Sequence, residues 1–239
     1  HENEAAEILR EMCQGEYMHP TPVKEGKIEL VADIDGLLKV NSDKIKKVNS
    51  MGEMMIASRH GNFAVKKGDK LAGTRIIPLV IEKEKMESAK AVCEGQTILS
   101  LKPFVHKKVG IVTTGNEVYY HRIEDTFTPV IKEKLADYDT EVIGQVVCND
   151  DHEKITKAIL SLIEKGADLV LCTGGMSVDP DDKTPLAIKN TGAKIVSYGA
   201  PVLPGAMFLL SYYNEDIPIV GLPGCVMYAK RTIFDLALP

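Results

Sequence analysis

The stretch Asp168-Leu-Val-Leu-Cys-Thr-Gly-Gly-Met-Ser-Val178 decides the fold. Its first five residues form a short apolar run, the length of a strand buried in a sheet. The run then breaks into Thr173-Gly174-Gly175-Met176-Ser177, a turn. The same sentence is written twice more. Val109-Gly-Ile-Val112 runs into Thr113-Thr114-Gly115-Asn116-Glu117, and Ile217-Pro-Ile-Val220 into Gly221-Leu222-Pro223-Gly224. Two further strands are expected over Glu141 to Val147 and Lys194 to Ser197, with helices over Pro129 to Tyr138 and Glu153 to Lys165. In the second helix Ile155, Ala158, Ile159 and Leu162 fall on one face. Strands alternating with helices predict an α/β fold, a layered and mostly parallel sheet.

Toward the N-terminus the text changes character near Pro103 to Lys108, which divides the chain into expected domains 1–105 and 106–239. The first opens with a helix from about Glu4 to Cys13, where Ile8, Leu9 and Met12 share helical spacing. Beyond Pro20 and Pro22 come short apolar stretches between glycine turns, Ile28–Val31, Met54–Ile56 and Arg75–Ile81, the mark of a smaller β-rich domain. Short helices are expected within it at Asp43 to Ser50 and Lys85 to Cys93.

Composition narrows the partners. Lys plus Arg is 29 against 34 for Asp plus Glu in 239 residues, a formal charge of −5. A nucleic-acid surface needs the opposite balance. No apolar run approaches the ~20 residues of a membrane helix, so neither nucleic acid nor membrane is an expected partner. Five cysteines, odd in number and without a CxxC pair, fit a reducing cytoplasm rather than a disulfide framework. The chain starts at His1 with no charged-then-apolar leader, and the missing Met suggests a piece of a longer protein.

In an open α/β sheet, ligands bind outside the carboxyl ends of the strands. The three glycine turns are therefore candidates for one site. Glycine admits close backbone approach, and consecutive N–H groups with Ser or Thr hydroxyls cradle a phosphate. Each turn alone is also what a strand-to-helix connection requires. GxxxxGK[ST] and a strand-borne GxGxxG are absent, which disfavours a P-loop ATPase or a dinucleotide enzyme. Downstream of Ser177 lie Asp179, Asp181 and Asp182. Carboxylates beside a phosphate imply a divalent cation between them, and Mg²⁺ commonly takes one or two protein carboxylates together with substrate phosphates. Asp182 also stands where it would cap a helix running through Ile188. Glu117 is a possible partner on the first turn, and Cys225 stands at an expected helix start, as a thiolate or as a small apolar residue. His60, His106 and His121 make no metal-ligand spacing, and no GxSxG elbow supports a hydrolase triad.

From about Lys107 to Pro239 the chain resembles the molybdopterin-binding domain of molybdenum cofactor biosynthesis. That group includes molybdopterin molybdotransferase, molybdopterin adenylyltransferase and gephyrin. Thr114-Gly-Asn-Glu117, Thr173-Gly-Gly-Met-Ser-Val178 with Asp182, Pro204-Gly205 and Gly221-Leu-Pro-Gly224 carry the resemblance in order and spacing. It implies a three-layer α/β/α domain holding molybdopterin, or its adenylylated form, at Thr113, Thr114, Gly115, Asn116, Thr173, Gly174, Gly175, Met176, Ser177, Pro204, Gly205, Gly221, Leu222, Pro223 and Gly224. It further implies Asp182 and Glu117 as catalytic carboxylates and Asp182 with Asp179 at a Mg²⁺ ion. Molybdate would be a possible co-substrate, a molybdoenzyme a possible recipient, and a homo-oligomer the assembly. The chain departs from the family at Asp125-Thr-Phe127, where an Asn is lost, at Pro204-Gly-Ala-Met207, where a Lys is lost, and at Cys225-Val226 in place of Asn-Pro. Losing a cation weakens stabilisation of a transferring oxyanion. The implied activity is thus molybdotransferase-like insertion of molybdate, with a non-catalytic cofactor carrier as the alternative and an unrelated nucleotide or sugar-phosphate binder behind both.

Overall fold

The computed structural model describes residues 1–177 and 182–239, in two compact units, His1–Phe104 and Val105–Leu238. The first unit contains α1 (Glu2–Cys13), β1 (Met18–Pro20), β2 (Lys27–Ala32), β3 (Gly36–Val40), α2 (Ser42–Asn49), β4 (Met54–Ser58), β5 (Phe63–Val65), β6 (Lys70–Ile76), α3 (Lys83–Cys93) and β7 (Leu99–Pro103). Its strands make two antiparallel sheets, β1-β2-β6-β4 and β5-β3-β7. The α1 helix places Ala5, Ala6, Leu9, Met12 and Cys13 in a core shared with Ile28, Leu30, Leu71 and Leu101. Ile8, expected on that face, is only half-buried.

The strand expected through Ile81 stops at Ile76, because Pro78 has no N–H for a ladder. Ile77, Leu79 and Val80 beyond it are exposed, and the Ile77 N–H donates to the carbonyl of Glu53 at 2.9 Å.

The second unit runs β8 (Lys107–Thr114), α4 (Asn116–Tyr119), α5 (Phe127–Leu135), β9 (Thr140–Cys148), α6 (His152–Glu164), β10 (Leu169–Thr173), α7 (Thr184–Asn190), β11 (Lys194–Tyr198), β12 (Leu209–Tyr213), β13 (Ile217–Leu222), a 3-10 turn (Gly224–Met227) and α8 (Ile233–Ala237). Six strands form one sheet in the order β11-β12-β13-β10-β8-β9. The pairs β13-β10, β10-β8 and β8-β9 are parallel, whereas β12 is antiparallel to both neighbours. One face carries Val112, Val170, Cys172 and Ile219, packed with Ile155, Ile159, Ala187 and Ile188 from α6 and α7. The other carries Val109, Ile111, Leu171 and Leu222, packed with Ile131 and Leu135 of α5 and Phe234 of α8. Helices on both faces of a mainly parallel sheet give the three-layer α/β/α arrangement.

Local chemistry fixes the start of α6. Asp151 caps α6, its carboxylate accepting from Glu153 N at 2.9 Å and Lys154 N at 3.3 Å. These bonds hold the carboxyl of Asp151 below its ordinary range, the Lys154 N–H being the larger cause. The α6 helix then lies directly on the sheet. A Cβ placed on Gly110 would sit 2.9 Å from Leu162 Cβ, and one on Gly144 2.8 Å from Leu162 Cδ2, so glycine is what lets Leu162 reach two strands.

The α5 helix begins at Phe127, two residues before the expected Pro129, because Asp125 accepts from the N–H groups of Phe127 and Thr128. Pro129 then falls in the first turn, where its missing N–H costs nothing. The sequence pattern predicts no strand at β12. Its inward residues are Leu209 and a polar Ser211, whose hydroxyl donates to the Ile219 carbonyl at 2.8 Å, so the strand lacks a clean apolar alternation.

Candidate functional site

The three glycine turns leave the sheet side by side. Thr173 at the end of β10 is the register partner of Thr113 in β8 and of Leu222 in β13, so one row of the sheet ends in all three turns. Two more segments emerge at this edge. Because Thr114 pairs with Cys148, the Asn149–Asp151 segment follows β9 there. Because β12 starts at Leu209 opposite Gly221, the 199–208 connection carrying Pro204 and Gly205 lies there as well.

The β10 turn is built by glycine and closed by threonine. Gly174 and Gly175 have φ of +83° and +53°, a region that excludes most side chains. A Cβ on Gly174 would collide with the carbonyl oxygen of Thr114, and one on Gly175 would sit 3.0 Å from Thr184 Oγ1. Thr184 Oγ1 donates to the Gly174 carbonyl at 2.8 Å and lies 3.1 Å from Thr114 Oγ1. Since its one proton is used on Gly174, Thr114 must be the donor of that second bond. On the opposite side Ser177 Oγ donates to Asp182 Oδ2 at 2.8 Å. The expected helix cap by Asp182 is not formed: Lys183 is the N-cap of α7, and Asp182 faces Ser177 instead. Burial raises the phenol of Tyr198 above its ordinary value, and the negative charge of Asp182 adds to the shift.

The β8 turn is anchored by a carboxylate that the sequence did not single out as a site residue. Asp125 Oδ1 accepts from Phe127 N and Thr128 N, and Oδ2 from Thr128 Oγ1 at 2.6 Å, Gln145 Nε2 at 2.8 Å and Thr113 Oγ1 at 3.2 Å. Next to it, Thr126 Oγ1 donates to Met227 Sδ at 3.0 Å, tying the start of α5 to the 3-10 turn. Asp150 is another omission. Its Oδ2 accepts from Asn116 N at 3.0 Å, and its own N–H points to Asn116 Oδ1 at 3.4 Å. The turn after β9 holds no glycine, so nothing in the text flagged it.

The predicted residues therefore divide by role. Gly115 and Gly224 have open space where a side chain would stand, and Asn116, Glu117, Ser177 and Gly224 are exposed at the edge. The Glu117 carbonyl accepts from Arg122 N at 2.8 Å. Thr113, Thr114 and Thr173 are buried and form the floor. Among the described residues, buried Thr173 Oγ1 and Asn149 Oδ1 have no hydrogen-bond partner. Met176 is buried in the core, its sulfur 2.7 Å from a Cβ placed on Gly221, so its side chain packs rather than lines the edge. Leu222 and Pro223 are buried as well. Gly205, with φ of +121°, fits under Ile233, and the Pro204 carbonyl accepts from Ile233 N at 3.3 Å. Cys225 is half-buried within the 3-10 turn. Asp179 and Asp181 lie outside the described residues.

Among the described residues no three His, Cys, Asp or Glu side chains converge to hold a metal by themselves. A Mg²⁺ ion that arrives with a phosphate takes one or two protein carboxylates, and among the described residues the carboxylate of Asp182 stands beside the β10 turn through its bond with Ser177. No described helix is long and apolar enough to cross a membrane.

A mainly parallel sheet with helices on both faces and three glycine turns side by side at its carboxyl edge defines an open α/β domain, the class that takes its ligands at that edge. Residues 110–239 match the family described as a probable molybdopterin binding domain, and the chain belongs to that family. Eighty residues are 32% identical to a CinA-like protein of Mycobacterium avium, covering 34% of this chain and 18% of that one, so the chain spans under a fifth of the length of curated relatives such as this. Among solved structures, the molybdopterin biosynthesis enzyme MoaB of Thermus thermophilus is 25% identical with a TM-score of 0.47, over 56% of this chain and 90% of that one. The tungsten cofactor synthesizing protein MoaB of Pyrococcus furiosus is 24% identical with a TM-score of 0.42, over 53% and 86%.

Proposed function

We propose that the second unit binds a phosphate-bearing pterin at the carboxyl edge of its sheet and acts, in the cytoplasm, in molybdenum cofactor maturation as a molybdotransferase-like protein. The observation that supports this best is the shared row Thr113–Thr173–Leu222, from which three glycine turns open together beside the Ser177–Asp182 pair. Backbone N–H groups of those turns supply the donors a phosphate requires. The ligand is molybdopterin or its adenylylated form, with Asp182 and Glu117 as the acidic residues at the edge. Mg²⁺ would be shared between Asp182 and the phosphate, with Asp179 as a second carboxylate, and would supply neutralisation of the phosphate charge. Molybdate is the co-substrate, a molybdoenzyme receives the product, and the chain works as a homo-oligomer.

A carrier without turnover is the second reading, favoured by Ala206-Met207 in the connection where the family carries a lysine for the anion. Equilibrium binding of molybdopterin and adenylylated molybdopterin, with and without Mg²⁺ and molybdate, followed by product analysis, separates the two. Conversion that is lost in Asp182→Ala supports the transferase, binding without conversion supports the carrier, and no binding sinks both.

A further inference from the structure

We propose that Tyr119, Tyr120 and Arg122 form a stacking subsite for the planar heteroaromatic ring of the ligand whose phosphate the glycine turns hold. The proposal rests on the binding function argued above and extends it from the phosphate to the ring. The two tyrosines follow Glu117 almost at once and are 39% and 57% exposed. Their rings meet edge to face, with centroids 5.1 Å apart and planes at 84°, so they present two perpendicular aromatic walls. Arg122 Cζ lies 5.8 Å from the centroid of the Tyr120 ring, which places a permanent cation on the same small surface.

This surface is fixed to the first turn by backbone bonds. Tyr119 N donates to Gly115 O at 2.9 Å, Tyr120 N to Asn116 O at 3.0 Å and Arg122 N to Glu117 O at 2.8 Å, and His121 takes a φ of +56° to make the reversal. The residues that hold the rings are therefore the residues of the proposed phosphate turn. A flat heterocycle joined to a phosphate needs an aromatic face for the ring and a cation for the anion, and a guanidinium serves either by stacking or by pairing. A pterin and a purine share this chemistry, so the ring identity is a matter for the experiment.

The test is calorimetric binding of AMP, a pterin monophosphate and ribose 5-phosphate to the whole chain and to Tyr120→Leu, Tyr120→Phe and Arg122→Leu. Removing an aromatic stacking partner costs about 1–3 kcal/mol per base, or roughly 5- to 150-fold in affinity. Tyr120→Leu is expected to weaken at least one ring-bearing probe about tenfold, to leave ribose 5-phosphate unchanged, and to be rescued by Tyr120→Phe. Whichever of AMP and the pterin monophosphate suffers the loss is the ring that stacks. Equal binding of all three probes to Tyr120→Leu and wild type overturns the subsite while the phosphate site stands. Failure of every probe to bind the wild-type chain overturns both.

Discussion

Thr114 and Thr184 face each other across the β10 turn, their hydroxyl oxygens buried and 3.1 Å apart, with the Thr184 proton committed to the Gly174 carbonyl. This pair lets two positive-φ glycines persist at the centre of the edge. Thr184→Val keeps the volume but leaves Thr114 and the Gly174 carbonyl without a partner. Leaving a buried polar group unpaired costs about 1–3 kcal/mol. Urea unfolding should show that loss for Thr184→Val and much less for Thr184→Ser; equal stability of the two variants would show that the hydroxyl bonds contribute nothing.

Asp125 collects five donors, three of them from Thr128 and Phe127. Asp125→Ala should therefore unravel the start of α5 as well as free Thr113, costing at least the ~1–2 kcal/mol of a lost helix cap. Thr113→Val removes only one of the five and should cost less than half as much. Hydrogen exchange at the N–H groups of Phe127 and Thr128 reads the difference locally: fast exchange is expected in Asp125→Ala alone.

These two residues also mark how far the sequence could be read. The apolar run Leu169–Cys172 with glycine behind it declared both strand and turn, because a doubly buried strand has no polar face to obscure it. Parallel pairing then placed the Thr113, Thr173 and Leu222 turns together. Asp125 shows in the sequence only as the first residue of Asp125-Thr-Phe127, a run notable for its lost Asn, since its five bonds come from residues as far as Gln145 and no local pattern announces them. Asp150 was missed because its turn needs no glycine. Met176 belongs to the cradle by its place between Gly175 and Ser177, but the side chain turns inward over Gly221. The strand Leu209–Tyr213 escaped because its second inward residue is the hydrogen-bonded Ser211.

At the opposite edge of the sheet, His106 Nδ1 lies 2.8 Å from Asp139 Oδ1, and its Nε2 lies 3.8 Å from Glu141 Oε2. The bond to Asp139 raises the imidazole above its ordinary value, with the charges of Asp139, Glu141 and Asp168 adding to it. A folded-state value above the unfolded one stabilises the fold fully below the unfolded value, and the contribution is lost as pH rises through the folded one. NMR titration of His106 should give a midpoint above that of an unfolded histidine, and Asp139→Asn should bring it down. An unchanged midpoint in that variant would assign the shift elsewhere.

Four of the five cysteines are buried and only Cys225 is half-buried. Burial pushes the Cys13 thiol up to about 12, with Cys93 adding to it, and burial likewise raises Cys93, Cys148 and Cys172. A thiol must ionise to attack a disulfide reagent, so these four are protected twice, by access and by protonation. Titration of the native protein with a chromogenic disulfide reagent at neutral pH should show one fast thiol, absent in Cys225→Ser, with the other four reacting only on denaturation. Two or more fast thiols in the native protein would mean that the sheet around Cys148 and Cys172, or the packing of α1 on α3 around Cys13 and Cys93, opens far more readily than their burial implies.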